Sequence, residues 1–329
     1  MAVTGGAGFI GANLVARLVR EGAEVRVADN LERGNVEYLR DVASRIDFRK
    51  LDLRETADAG HALEGMDTVI HLAAKVSGIG VYMEHPGSIL LNNLLIDQHV
   101  IAAALRHHVP HFFYASSSHV YPEHLQQSVD APALKEEDAY PALPGLTYGW
   151  AKLMGEVALM GLAKEESGMH VSIARICGAY GFFQQIDLPT GSLIPVLCHR
   201  AVRWPQLKPF RLRGTGKEKR AYCFVEDVVA AIMRCVEQGD HQSLLGPVNV
   251  STEEAVSVHE IAEAVVRVSG KDIPIEYDPS VATPLWSQTV NCAKAHRELG
   301  WKPAVALEEG IRRTYGYVEK LLKAAPAGL

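Results

Sequence analysis

Tyr148 and Lys152 stand four residues apart in the stretch Thr-Tyr-Gly-Trp-Ala-Lys at 147–152, a spacing that puts both side chains on one face of a helix. A phenol titrates at about pH 10 and is a poor base at neutrality, but an ammonium one turn away stabilises the phenolate. Ser117, inside the run Ser116-Ser117-Ser118, is of the type that holds a substrate hydroxyl by hydrogen bond while such a phenolate removes its proton. A tyrosine above a lysine is also ordinary helix surface. The chemical reading therefore depends on what the rest of the chain places beside the pair.

The start of the chain supplies it. Met1 to Gly11, MAVTGGAGFIG, passes from a short strand-like run through Gly5, Gly8 and Gly11 into an apolar-periodic segment. A strand, tight turn and helix N-terminus of this kind holds a dinucleotide pyrophosphate. Gly5 allows the turn, Gly8 lets the backbone approach the phosphates, Gly11 permits close helix packing, and the free N–H groups of the first turn, with Phe9 and Ile10, face the anion. Asp29 closes the next strand at Ala23–Ala28, about twenty residues on, where a carboxylate accepts hydrogen bonds from ribose hydroxyls and repels a 2′-phosphate, favouring NAD. The alternative makes Asp29 a turn residue ahead of Asn30. Nearby Arg33 is the one feature that suits NADP.

Composition narrows the class. With 329 residues, 48% hydrophobic and 22% charged, the chain has the makeup of a globular α/β unit with a smaller lobe. A net charge of -6 gives no footprint for nucleic acid, so an anionic substrate must be held by local cations and backbone amides in a pocket. Five scattered cysteines without C-x-x-C spacing read as reduced residues of a cytoplasmic protein, and no His/Cys/carboxylate cluster has metal-ligand spacing. The apolar runs read as too short and interrupted to span a bilayer.

The elements that must position these residues follow in order. Helical periodicity covers Phe9 to Val19 and Pro86 to His107; strands are expected at Ile46–Leu51, Asp67–Ala74, Phe112–Ser117 and Val171–Ile176. Lys75 to Tyr82 reads as a glycine-containing loop at a strand's carboxyl end, where ligands collect in open α/β sheets. The alternation of strand and helix predicts a Rossmann-type doubly wound parallel sheet over residues 1–176, with a return near 224–250. From residue 177 to 329 the segments shorten and prolines become frequent, predicting a smaller C-terminal substrate-binding lobe. Helices are expected there at Val256–Val268 and Ala304–Leu322.

At this point the chain resembles the extended short-chain dehydrogenase/reductase family, in particular its NAD-dependent nucleotide-sugar epimerases and dehydratases. Gly5-Gly6-Ala7-Gly8-Phe9-Ile10-Gly11, His71-Leu72-Ala73-Ala74, Tyr148 with Lys152, Tyr180-Gly181, Arg220 and Leu299-Gly300-Trp301 fall in family order. Within the family it looks most like the GDP-mannose 3,5-epimerase and GDP-fucose synthase branch, through Lys75-Val76-Ser77-Gly78-Ile79-Gly80, Phe113-Tyr114-Ala115-Ser116-Ser117 and Val120-Tyr121-Pro122. The resemblance implies NAD as cofactor, with Asp52-Leu53 along the adenine and Leu72, Ala73 and Ala74 beside the ring system. It also implies a GDP-sugar as substrate, contacted from Lys75, Gly78, Ser117, Ser118, His119, Gly178, Ser192, Arg220 and Gln288, and a homodimer through 86–107 and 148–167.

Departures from that branch shape the expected reaction. Its acid/base cysteine is here His119, its second proton-transfer residue is Ser192, the asparagine before Tyr180-Gly181 is Gly178, and a phosphate-binding arginine is replaced near Gln288. Ser117, Tyr148 and Lys152 suffice to oxidise C4 of the sugar and re-reduce the 4-keto intermediate on the opposite face. The expectation is thus a 4-epimerase. The alternatives are 3,5-epimerisation or 4,6-dehydration through the same intermediate with His119 as acid/base, and a non-catalytic dinucleotide sensor.

Overall fold

The computed structural model describes residues 1–76, 79–165, 168–188, 191–239, 244–280 and 286–324. Its short apolar runs become β1 (Ala2–Thr4), β2 (Val25–Asp29), β3 (Ile46–Lys50), β4 (Thr68–His71), β5 (His111–Ser117), β6 (His170–Ile176) and β7 (Leu244–Val250). They pair in parallel in the order β7-β6-β5-β4-β1-β2-β3. This is the expected Rossmann-type doubly wound sheet. Strand order reverses between β1 and β4, which opens a crevice at their carboxyl ends.

Ten helices complete the described residues: α1 (Phe9–Arg20), α2 (Thr56–Leu63), α3 (Ile79–Glu84), α4 (Pro86–Arg106), α5 (Thr147–Lys164), α6 (Leu193–Val202), α7 (Val225–Gly239), α8 (Val258–Ser269), α9 (Ala293–Leu299) and α10 (Leu307–Ala324). One apolar cluster joins α1 and α7 to one face of the sheet through Leu14, Leu18, Val228 and Ile232. A second joins α2, α4 and α5 to the other through Leu63, Val100, Ala104 and Leu159. Burial on both faces explains why the stretch around β4 is a continuous apolar run rather than an alternating one. Beyond β6, helices α6, α8 and α10 pack on one another. Small sheets there join Phe210–Arg213 to Ile275–Asp278, and Lys219–Arg220 to both Val256–Ser257 and Ser287–Gln288.

Several elements differ from the sequence reading. The return strand is seven residues long, Leu244–Val250, and pairs with β6 through an irregularity between Leu245 and Val248, where Pro247 has no N–H to donate. β4 stops at His71, so Leu72–Ala74 leave the sheet. Part of the expected loop at 75–82 is helical, as α3. Residues Val36–Arg45 form 3-10 turns that no apolar period announced. By length and composition alone α4, 21 residues with a window of mean hydropathy 1.3, is apolar enough to cross a membrane, which corrects the expectation that no run was. It packs instead against α2 and α5, and buries the polar side chains Asn93 and Asp97.

Candidate active site

At the carboxyl ends of β1 and β4 lies a cleft of about 380 Å³. Its floor is the glycine turn. Gly5 has φ +68, and a Cβ on Gly11 would lie 2.2 Å from the Gly5 carbonyl oxygen, so only glycine lets α1 start this close to the strand. No side chain caps α1, and no acid stands in its first turn. An anion can therefore take the N–H groups of Phe9 and Ile10 at the helix start, whereas the Gly8 N–H, also expected to face it, donates to the Gly5 carbonyl at 3.1 Å.

Asp29 is a turn residue that also lines the cleft: its Oδ1 accepts from the Leu31 N–H (2.8 Å), closing a turn, and its Oδ2 from the Ala7 N–H (3.0 Å), tying the end of β2 to the glycine turn. Burial pushes this carboxyl up from the usual value, and those two N–H groups work against the shift. Asn30, Asp52, Leu53, Leu72, Ala73 and Ala74 line the same cleft. Arg54 holds Asp52 in a fork (2.9 and 2.5 Å) and keeps its carboxyl below the ordinary range. Arg33 donates to the Val76 carbonyl (2.9 Å) and to Gln185 (2.7 Å), so its guanidinium is engaged across the cleft mouth rather than held beside Asp29. The uncapped helix start, the glycine seat and the placed carboxylate fit NAD.

Tyr148 and Ser117 line the cleft at its other end. The Tyr148 hydroxyl lies beside Ser117, whose Oγ accepts the His119 N–H at 3.2 Å. Helix α5 reaches this position because Gly149 lacks a side chain: a Cβ there would sit 2.0 Å from the His119 carbonyl oxygen. Burial pushes Tyr148 well above its ordinary value, Tyr82 and Asp97 add to that, and the Ser117 hydroxyl opposes it. Lys152, one turn along, is 2% exposed, with Nζ 3.7 Å from Asp97 and 4.1 Å from the centre of the Tyr114 ring. The ammonium is thus buried one helical turn from Tyr148, with Nζ turned to Asp97 and the Tyr114 ring.

The remaining expected residues divide. The His119 ring meets Tyr148 edge-on at 5.9 Å, and Tyr82 of α3 stacks on Tyr148 at 5.4 Å. Burial, and then the Arg220 guanidinium, push His119 down to about 4, so it is a neutral imidazole at working pH. Ser118 accepts from Gln288 Nε2 at 3.2 Å, and Gln288 pairs in register with Arg220. These four adjoin one another but are not among the residues that line the cleft. Ser192 caps α6 and lines the cleft. Lys75 directs Nζ to Glu32 (2.7 Å) at the Asp52 end. Gly178 packs where its Cβ would be 1.9 Å from the Ala221 carbonyl, which explains a glycine there, and Gly78 lies outside the described residues.

Sequence reasoning missed Tyr82, Asn93 and Asp97. The available signal was the pair Asn93/Asp97, four apart on the buried stripe of an otherwise apolar helix.

A model of the NAD dependent epimerase/dehydratase family matches residues 1–250. GDP-mannose 3,5-epimerase of Arabidopsis thaliana is 30% identical over 327 residues, covering 99% of this chain and 84% of that protein. Among solved structures, UDP-glucose 4-epimerase of Thermotoga maritima superposes with a TM-score of 0.87 at 26% identity, covering 98% of this chain and 99% of the other. UDP-glucose 4-epimerase of Thermus thermophilus, in complex with NAD, gives 0.83 at 26% identity, covering 96% and 98%.

Proposed function

The chain belongs to the NAD-dependent epimerase/dehydratase family, and on that premise we propose that it inverts C4 of a GDP-linked sugar through a 4-keto intermediate. The observation that carries the reading is the composition of the site: one complete redox unit, Ser117, Tyr148 and Lys152, beside a histidine too weak to be a second base. NAD held at the Gly5–Gly11 turn and Asp29 would supply the hydride acceptor and donor for C4. Tyr148 takes the proton of the C4 hydroxyl as Ser117 holds that oxygen, and the Lys152 charge lowers the cost of the phenolate. After the keto sugar turns over in the pocket, Tyr148 gives the proton back to the C4 oxygen.

Abstraction of protons at C3 and C5 would need bases poised near neutrality. His119 at about 4 is below that range, and Ser192 is exposed and not basic. A second reading, 3,5-epimerisation, is favoured by the 30% identity with an enzyme of that name. Proton NMR of the reaction in deuterated water separates them. C4 inversion proceeds without solvent deuterium at C3 or C5, whereas label at either carbon selects the second reading. Tyr148→Phe should bind NAD and lose turnover; full activity in that variant would sink both.

The GDP reading is supported by the stretches shared with the GDP-sugar branch, and by Arg220, whose guanidinium suits pyrophosphate. A homodimer belongs to the same reading. Leu91 and Leu95 on α4 and Trp150, Met154 and Val157 on α5 are exposed apolar residues on two helices already packed together, a face suited to a second copy of the chain. Five free, buried cysteines accord with a cytoplasmic location.

A further inference from the structure

Four elements converge beneath Lys152. On α4, Asn93 and Asp97 are 0% and 4% exposed. Asn93 brackets the Lys75 backbone, accepting its N–H at 2.9 Å and donating to its carbonyl at 3.1 Å, which fixes the chain leaving β4. Asp97 ends a chain of hydrogen bonds whose direction can be worked out. Thr4 Oγ1 accepts the Ala73 N–H (3.3 Å) and lies 2.7 Å from His71 Nδ1; because the other ring nitrogen faces a carboxylate that only accepts, Nδ1 of the neutral ring is the acceptor and the Thr4 hydroxyl donates to it. His71, pushed down by burial and neutral, then carries its proton on Nε2 and donates to Asp97 Oδ1 (3.0 Å). Tyr114 donates to Asp97 Oδ2 (2.5 Å).

Both of these donors are neutral. The cation that faces Asp97 is Lys152, at 3.7 Å. The other titratable groups around the lysine are already engaged or uncharged. Glu156, on the next turn of α5, is paired with Arg175 at 2.7 Å and bonded by Ser116. Tyr114 offers its ring, His71 is uncharged, and Tyr148, raised well above its ordinary value, is a neutral phenol that releases its proton to solvent only when the cationic cofactor binds. A buried charge without a partner is discharged rather than tolerated.

We infer that Asp97 is a positioning residue for the catalytic pair: its carboxylate fixes Lys152 at the foot of Tyr148 and keeps it an ammonium while the cationic nicotinamide ring lies against the same cleft. A second cation on its own would favour loss of the lysine proton. The buried carboxylate offsets it, and its other contacts, to β4 and β5, leave it no alternative orientation. The inference rests on Tyr148 and Lys152 being the redox pair of the proposed function, but not on which sugar is turned over.

The test is Asp97→Asn, which keeps an acceptor for His71 and the volume of the side chain. In protein carrying carbon-13 at lysine Cε, with the Lys152 signal assigned through Lys152→Met, its titration midpoint should fall by at least about one unit, a tenfold change in the protonation equilibrium. The pH profile of kcat should gain an alkaline limb at that new midpoint, and the urea midpoint should fall because a buried cation has lost its carboxylate. A midpoint that stays where the wild type has it overturns the inference, and so does a shifted midpoint with an unshifted kcat profile. Should Asp97→Asn not fold, the wild type decides: Lys152 must remain protonated to above about pH 8, and a midpoint below that refutes the role. The lysine titration needs no substrate, so failure to turn over a GDP-sugar leaves it standing.

Discussion

Gly149→Ala pits two effects of opposite sign against each other. Alanine in a helix gains up to about 1 kcal/mol over glycine, so propensity alone predicts a more stable protein. The packing predicts the reverse. A Cβ at this position would lie 2.0 Å from the His119 carbonyl oxygen, 2.8 Å from its carbon and 3.0 Å from Pro144 Cβ. Restoring even 3.0 Å to the oxygen moves α5 or the Ser117–His119 turn by about 1 Å, and the two nearest of those atoms are backbone. Overpacking of this kind costs roughly 1–3 kcal/mol, which offsets the propensity gain and leaves a net loss of up to about 2 kcal/mol. The displacement falls between Tyr148 and Ser117, and a misplacement near 1 Å can cost about 100-fold in rate. Steady-state turnover of a nucleotide sugar, NADH fluorescence titration and urea unfolding together test this. The expected result is a lowered kcat and urea midpoint with NADH affinity near wild type, since the glycine turn is untouched. A variant that melts higher and turns over at the wild-type rate refutes the account of how α5 is seated.

Other consequences can be measured independently. Glu156→Gln leaves Arg175, 1% exposed, without its carboxylate, and should lower stability by roughly 3–5 kcal/mol in urea unfolding. His119 has its folded value pushed from 6.5 to about 4, so the unfolded chain binds the extra proton first and stability falls as pH drops from 6.5 towards 4. The contribution is on the order of 2–3 kcal/mol, and His119→Gln should flatten that part of the stability curve measured by thermal melting. In the same variant, a C4-inverting enzyme keeps measurable turnover at pH 7, whereas a 3,5-epimerase using His119 as its base loses it. Met154→Glu, at a position 54% exposed on α5, should convert a dimer to a monomer in sedimentation velocity without loss of folding.

The nucleotide-binding half was legible because its signals are local. Gly5 and Gly11 are dictated by a turn and a contact within seven residues of each other, and the run around β4 announces burial on both faces. The pair Tyr148/Lys152 was legible through helical spacing. What stayed hidden is assembled across the chain. Thr4, His71, Asp97 and Lys152 come from four different elements and meet only once the sheet is closed, so no window of sequence contains their relation. Arg33 suggested a phosphate contact by type, but its partners, Val76 and Gln185, lie 43 and 152 residues away. Gly178 looked like a lost substrate contact, and its physical reason, the Ala221 carbonyl, is again a distant segment.

The seventh strand of the sheet is drawn from far down the chain, Leu244–Val250 beside His170–Ile176. Its Asn249 accepts from Tyr121 and donates its backbone N–H to Glu136. During synthesis, β6 therefore emerges well before its outer neighbour and waits with a row of unsatisfied amides and carbonyls, a template for pairing with other nascent chains. Fragments ending near residue 176 inherit that raw edge permanently. Exchanging parts with relatives to alter sugar preference thus requires carrying 244–250 along with the half it completes.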